Sequence, residues 1–204
     1  VRIFSMDHCF IIAEAGVNHN GDVDLAIQLV DIAANAGADA VKFQTYRADE
    51  IASPGAPKAA YQIETADPGE SQREMLQRLE LPIDAYDIIA NRCRLRGIEF
   101  MSTGFDVASV EMLIQKIGIQ RIKIPSGEIT NGPLLLASAR SGLPIILSTG
   151  MSDLDDIERA LSLIAYGILE FHAEPDETVL ENILMRQDAR DALRENVTVL
   201  QCTS

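Results

Sequence analysis

The chain has 204 residues, and 17 basic against 31 acidic side chains give it a formal charge of −14. Hydrophobic residues make up 47% and charged residues 24%, the balance of a globular protein with one sizeable core, which excludes a disordered tail or a fibrous repeat. The acidic balance argues against a nucleic-acid backbone or an anionic membrane as partner, and no apolar run reaches the roughly 18–20 residues of a membrane span.

Along the chain, short apolar runs alternate with periodic segments. The runs 10–13, 40–43, 98–101, 121–124, 144–147 and 197–200 have the length and β-branched content of strands buried on both faces. Between them, 22–36 carries Val23, Ala26, Ile27, Val30, Ala33 and Ala34 at helical spacing, with Gly37 as its C-cap. The segments 84–95, 107–117, 134–141 and 153–165 read as helices in the same way. Strand–helix alternation predicts parallel βαβ units.

Two stretches break the rhythm. Residues 47–80 hold three prolines and little periodicity and read as an excursion over one face. Residues 166–196 form a long connection with an acidic helix, and 153–195 carry twelve acids against four bases, read as a solvated face. The chain starts at Val1 and stops at Ser204, straight after an apolar run, so a piece of a longer protein is the expectation.

Six strands could form an open doubly wound sheet or part of a (β/α)₈ barrel, and the polar residues decide between them. Every run ends in them: Glu14 to Gly21, then Lys42, Gln44 and Thr45, then Ser102 and Thr103. Lys123 to Glu128, Ser148 to Gly150 and Gln201 to Ser204 follow. An open sheet gathers its ligand at one switch point, whereas all strand ends converge at a barrel mouth, so a truncated TIM barrel with about six βα units is predicted.

Lys42 and Lys123 lie inside apolar strands. Alternation sets Val41 and Phe43 on one face against Lys42 and Gln44 on the other, and Ile122 and Ile124 against Lys123. A buried ammonium needs an anion or it loses its proton. With hydroxyls at Thr103, Ser126 and Ser148, the two lysines resemble a cradle for a phosphate or carboxylate. They could instead pair with Glu14 and Glu128 and only hold the fold together, or one could form a Schiff base. Glu14 and Glu128 read as a general base or as hydroxyl anchors. His19 sits in the loop Asn18-His19-Asn20-Gly21, which either caps the next helix through Asn20 or Asp22 or brings a catalytic imidazole. His8 and His172 read as surface histidines. Cys9, Cys93 and Cys202 have no metal spacing and cannot all pair, so reduced thiols in a cytoplasm are expected.

Phe10-Ile11-Ile12-Ala13-Glu14-Ala15-Gly16-Val17-Asn18-His19-Asn20-Gly21 and Ala40-Val41-Lys42-Phe43-Gln44-Thr45-Tyr46 resemble the bacterial N-acetylneuraminate (sialic acid) synthases. So do Ile124-Pro125-Ser126-Gly127-Glu128, Ile146-Leu147-Ser148-Thr149-Gly150-Met151, Pro57-Lys58-Ala59-Ala60-Tyr61-Gln62 and Glu70-Ser71-Gln72. The resemblance runs through nearly the whole chain. It implies a TIM barrel that condenses phosphoenolpyruvate with N-acetylmannosamine or a related N-acyl amino sugar, releasing phosphate. It further implies a homodimer, a divalent metal (Mn²⁺ or Mg²⁺) acting as Lewis acid on the sugar aldehyde, and a second, antifreeze-like domain. By motif, Lys42, Thr103, Lys123, Ser126 and Ser148 would bind phosphoenolpyruvate. Ser204 would join them, standing where many members have Asn in a Cys-Thr-Asn motif. Glu14 and Gln44 would hold the sugar, and Glu128 would act near the reacting carbon. The family's metal-ligand histidines and its antifreeze-like domain would lie beyond Ser204. A Schiff-base aldolase using Lys123 or Lys42, and an inactive truncated barrel, are the alternative readings.

Overall fold

The computed structural model describes residues 8–53, 70–170 and 174–203. Ser204, His172 and the motif at 57–62 lie outside them. Residues 9–100 form one compact unit, and the chain from Met101 onward belongs to a second.

In the first unit, β1 (Ile12–Gly16) and β2 (Ala40–Thr45) pair in parallel, with Ile12 opposite Ala40 and Glu14 opposite Lys42. Between them runs α1 (Val23–Asn35). Its N-cap is Asp22, whose carboxylate accepts from the N–H groups of Asp24 and Leu25 at 2.8 and 3.2 Å. The helix closes on Ala36, and the left-handed Gly37 follows one residue later. Among its described residues the excursion at 47–80 carries the short helices α2 (Ala48–Ile51) and α3 (Gln72–Leu79). The second opens with a reciprocal Ser71–Glu74 capping box, a signal that periodicity alone passes over. α4 (Ile83–Arg96) then packs along α1 and buries Tyr86, Ile89, Ala90 and Cys93, while Val30 and Ala33 face inward from α1. The two helices are tied by Asp31, which accepts from Arg92 at 2.7 Å and Arg96 at 2.6 Å. The Arg92 hydrogen bond holds the Asp31 carboxyl below the usual carboxylate range.

The second unit takes over within β3 (Glu99–Gly104) and continues through β4 (Ile122–Ile124), β5 (Ile145–Ser148) and β6 (Val197–Leu200). β3 pairs with β4, β4 with β5 and β5 with β6, all in parallel. Neighbouring strands follow chain order with no reversal, the barrel pattern rather than the switch point of a doubly wound sheet. The crossovers are α5 (Val107–Met112), α6 (Gly132–Arg140) and α7 (Leu154–Leu169), followed by α8 (Glu177–Ile183) and α9 (Gln187–Asn196). Ile122, Ile124, Ile145, Leu147, Leu134, Leu135 and Ile164 are fully buried between strands and helices. The fold class is the one read from the sequence, six βα-type strands of a truncated (β/α)₈ barrel.

Several expectations need correction. The helix read over 107–117 is α-helical only to Met112. A π turn over Leu113–Ile117 then brings the N–H groups of Gly118 and Ile119 onto the carbonyl of Leu113 at 3.0 and 3.2 Å. A spacing pattern of 3.6 residues does not register so local a widening. Among its described residues the connection at 166–196, read as carrying an acidic helix, holds the end of α7 and the helices α8 and α9. The first and last strands are not buried on both faces. Phe10 and Ile11 are exposed, and Val199 of β6 is 46% exposed. Among the described residues β1 pairs with β2 alone and β6 with β5 alone, so one side of each lacks cover. No helix of the described residues is long and apolar enough to cross a membrane.

Candidate functional site

In the second unit, the strand ends assemble a pocket of hydrogen-bond donors. Lys123 is 9% exposed in the middle of β4, and its Nζ donates to Ser148 Oγ at 2.7 Å and to the Ile124 carbonyl at 2.8 Å. Thr103, also buried, stands opposite Lys123 in the β3–β4 register. The 3₁₀ turn Ser126–Glu128 follows β4 after Pro125. Its Ser126 hydroxyl faces Gly150: a Cβ added there would come within 3.2 Å of Ser126 Oγ and 3.1 Å of Cys202 Sγ. A side chain there would force the β5 end, the Ser126 turn or the Cys202 segment to give by a few tenths of an ångström, so the three close tightly on one another at Gly150. Lys123, Ser126, Ser148 and Cys202 are therefore neighbours, although 79 residues separate the first from the last in the sequence. Burial raises the Cys202 thiol, but hydrogen bonds from Ser148 and from the Gly150 and Thr149 amides, with the Lys123 charge, outweigh it and leave the thiol below its usual value. Sequence reasoning left Cys202 out of the site. Its position one residue before Thr203 at a strand end was the available signal.

Glu128 does not pair with Lys123, as one reading had it. Its Oε2 accepts from Asn131 Nδ2 at 2.8 Å, and Asn131 in turn caps α6. The carboxylate is thus held at the mouth of the unit by the turn that carries it.

In the first unit, Lys42 and Gln44 share the face of β2 opposite the buried Val41 and Phe43, as alternation predicts. Here the pairing alternative holds: Lys42 Nζ forms an ion pair with Glu14 Oε2. The lysine side chain is 13% exposed and the glutamate 53%, so the ammonium is sheltered and the carboxylate open. Gly16, left-handed at φ +53°, lies beside Glu14 and Gln44, with Glu14 Oε1 3.3 Å and Gln44 Nε2 3.6 Å from where a Cβ would stand. His8 is exposed, as expected.

His19 is the residue on which sequence reasoning was least decisive. It is 1% exposed, its ring centroid 6.1 Å from that of Phe43. It does not cap α1, a role taken by Asp22. Asn20 is left-handed at φ +50° within the turn.

Cys9, Cys93 and Cys202 are all free thiols, and burial pushes Cys93 up to about 12. Among the described residues no three His, Cys, Asp or Glu side chains gather as a metal-ligand group. The donors present are an ammonium, hydroxyls and a thiol, which suit an anion and do not make a hard-cation centre. A groove of about 920 Å³ lies elsewhere in the second unit, on the helical side between α5, α6, α7 and α8, and none of the strand-end residues above lines it.

The sequence resembles proteins of known activity. N,N'-diacetyllegionaminic acid synthase of Legionella pneumophila is 51% identical over 156 residues, 76% of this chain and 44% of the relative. The enzyme of the same name from Campylobacter jejuni is 43% identical over 199 residues, 98% of this chain and 52% of the relative. The crystal structure of N-acetylneuraminic acid (sialic acid) synthetase from Leptospira borgpetersenii, in complex with citrate, superposes with a TM-score of 0.69. It is 31% identical, covering 96% of this chain and 54% of that one. The chain thus spans about half the length of the relatives it matches. The NeuB family profile matches residues 29–204, from α1 through β6, and so takes in Lys42, Lys123, Ser126, Glu128 and Ser148: the chain belongs to the NeuB family.

Proposed function

We propose that the chain is the barrel portion of a nonulosonate synthase. The reaction condenses phosphoenolpyruvate with N-acetylmannosamine or a related N-acyl amino sugar and releases phosphate. The observation that carries this reading is the buried Lys123 Nζ, 2.7 Å from Ser148 Oγ, beside Ser126 and in register with Thr103. A buried ammonium hydrogen-bonded to a hydroxyl, near the C-terminal end of parallel strands, is a charge-assisted site for a phosphate or carboxylate. Support also comes from the names of the two relatives above, both N,N'-diacetyllegionaminic acid synthases.

In this reading Lys123, Ser126, Ser148 and Thr103 hold the phosphoenolpyruvate, with Ser204 and Lys42 assigned to the same substrate by resemblance. Glu14 and Gln44 hold the sugar. The enolpyruvate methylene attacks the open-chain aldehyde carbon, forming the new C–C bond and leaving positive charge at C2. Water adds there, oriented by Glu128, and the C2 hemiketal phosphate collapses to a ketone with loss of phosphate. Lysines and hydroxyls that fix the phosphate dianion beside the cationic carbon supply rate through positioning and electrostatics. The Mn²⁺ or Mg²⁺ expected of the family has no ligand group among the described residues, and we place its ligands beyond Ser204. The homodimer and a cytoplasmic setting belong to the same proposal.

The test is steady-state kinetics on the full-length synthase. Lys123→Ala and Lys42→Ala are each expected to lower kcat/KM for phosphoenolpyruvate about 10- to 100-fold, the effect of one charge-assisted hydrogen bond, with a smaller change in sugar KM. Unchanged phosphoenolpyruvate kinetics in both variants would overturn the assignment. Trapping of a pyruvate adduct by borohydride would establish the Schiff-base reading instead.

A further inference from the structure

The turn between β1 and α1 is held by a histidine whose protonation state is fixed by geometry. The Gly21 N–H donates to His19 Nδ1 at 3.0 Å, so Nδ1 must be the bare nitrogen of the ring. The single proton of the neutral imidazole is then on Nε2, a buried atom with no hydrogen-bond partner among the described residues. Three main-chain bonds complete the turn: Asn18 N–H to Ala15 carbonyl, Asn20 N–H to Val17 carbonyl and Asp22 N–H to His19 carbonyl, at 2.8–3.0 Å. Two consecutive residues, Asn20 and Gly21, are left-handed. Gly21 has no slack, because a Cβ there would meet the Arg78 carbonyl at 2.5 Å.

We propose that His19 is a positioning residue: as the Nε2–H tautomer it holds the Gly21 amide and fixes the turn behind Glu14, and protonation of its Nδ1 releases that turn. A protonated Nδ1 would put a donor against the Gly21 donor, and the bond would be replaced by a repulsive contact. Among the described residues no carboxylate is hydrogen-bonded to the ring to compensate an imidazolium. From β2 the neighbour is Phe43, with no charge. From the end of α3 the turn meets a carbonyl of Arg78, whose guanidinium is paired with Glu70 at 3.1 Å. The nearby Glu80 carboxylate accepts from the Ala48 N–H at 3.0 Å. Within the turn itself, Asp22 is committed to capping α1. Burial alone accordingly lowers the His19 pKa from 6.5. Because the folded state binds this proton less tightly than the unfolded chain, the turn's stability is complete above about pH 6.5 and is lost as pH falls through the lower, folded value. The consequence for sugar binding rests on the proposed role of Glu14.

Long-range ¹H–¹⁵N correlation of the histidine side chains in the full-length synthase, with the His19 signals assigned by their loss in H19N, tests this directly. At about pH 6.5, where an ordinary histidine is half protonated, His19 is expected to be less protonated than that, with the proton of its neutral form on Nε2. A proton on Nδ1, or an ordinary titration, would overturn the proposal. In H19N the new side-chain oxygen can accept from the amide two residues on, so Gly21 should keep its hydrogen-exchange protection and lose its pH dependence. H19F fills the space but cannot accept, and at least a tenfold loss of Gly21 protection is expected. Full protection in H19F would overturn the proposal. In the full-length synthase, H19N is expected to move the acid limb of kcat/KM for the sugar to lower pH, a change that a merely structural histidine would not produce. An unmoved limb would overturn the link to the site. A parent-like sugar KM in Glu14→Gln, with the tautomer as stated, would defeat the sugar reading and leave the turn lock standing.

Discussion

In the proposed reading, environment assigns the two glutamates different work. Glu14 is more than half exposed and shares its charge with Lys42, as suits a group gripping sugar hydroxyls in ground and transition states alike. Glu128 is held on a short turn by Asn131 at 2.8 Å, in the same turn as Ser126, where it can orient a water or move a proton. Glu14→Gln is therefore expected to raise the sugar KM with a smaller effect on kcat. Glu128→Gln is expected to lower kcat about 10²- to 10⁴-fold. Steady-state kinetics of the full-length protein at saturating metal decides. The reverse pattern would exchange the roles, and parent rates in both variants would remove them.

Among the elements, α6 and α7 pack closely, and a glycine permits it. Gly167 on α7 sits against α6 so tightly that a Cβ there would lie 2.6 Å from the Ala139 Cβ, well inside van der Waals contact. Both residues are helical and both helices are anchored, α6 by Asn131 and α7 by the Asp153–Asp156 capping box, so neither is free to slide away. Gly167→Ala gains helix propensity, worth about 1 kcal/mol, but overpacks an interface at a cost of about 1–3 kcal/mol. We expect a net lower melting temperature, by a few degrees for a chain of this size, read by calorimetry. A higher one would mean that the helix pair relaxes freely. The same logic explains why the helices α6 and α7 were both legible in the sequence while the contact between them was not. Leu163, Ile164 and Tyr166 declare an inward face, but no pattern in the sequence states that Gly167 meets Ala139.

For the whole molecule, the exposed strands have a consequence. β6 carries Val199 and Leu200, 46% and 37% exposed, and β1 is preceded by the exposed Phe10 and Ile11. Each has one paired edge among the described residues, and an open parallel edge with apolar side chains is a template for further pairing. Net charge of −14 opposes association, so ionic strength tunes the outcome. We expect the 204-residue chain to self-associate in sedimentation velocity, more at 0.5 M salt than at 0.05 M. A single monomeric species at both would show that the edges are protected.

The sequence by itself determined the alternation of strands and helices, the parallel class and the faces of β2 and β4, because burial on a strand has a period of two and on a helix of 3.6. It also brought out Lys42, Lys123, Ser126 and Ser148, since a lysine inside an apolar run is conspicuous however the chain folds. What it could not contain were relations between segments. That Lys42 pairs with Glu14 while Glu128 turns to Asn131, that Cys202 comes to rest beside Ser126 and Ser148, and that His19 is buried with one ring nitrogen committed to Gly21 were decided by tertiary structure. The physical reason is range. Periodicity reports how each residue faces its own element, whereas hydrogen bonds and ion pairs form over about 3–4 Å between atoms whose approach is set by the packing of the elements that carry them.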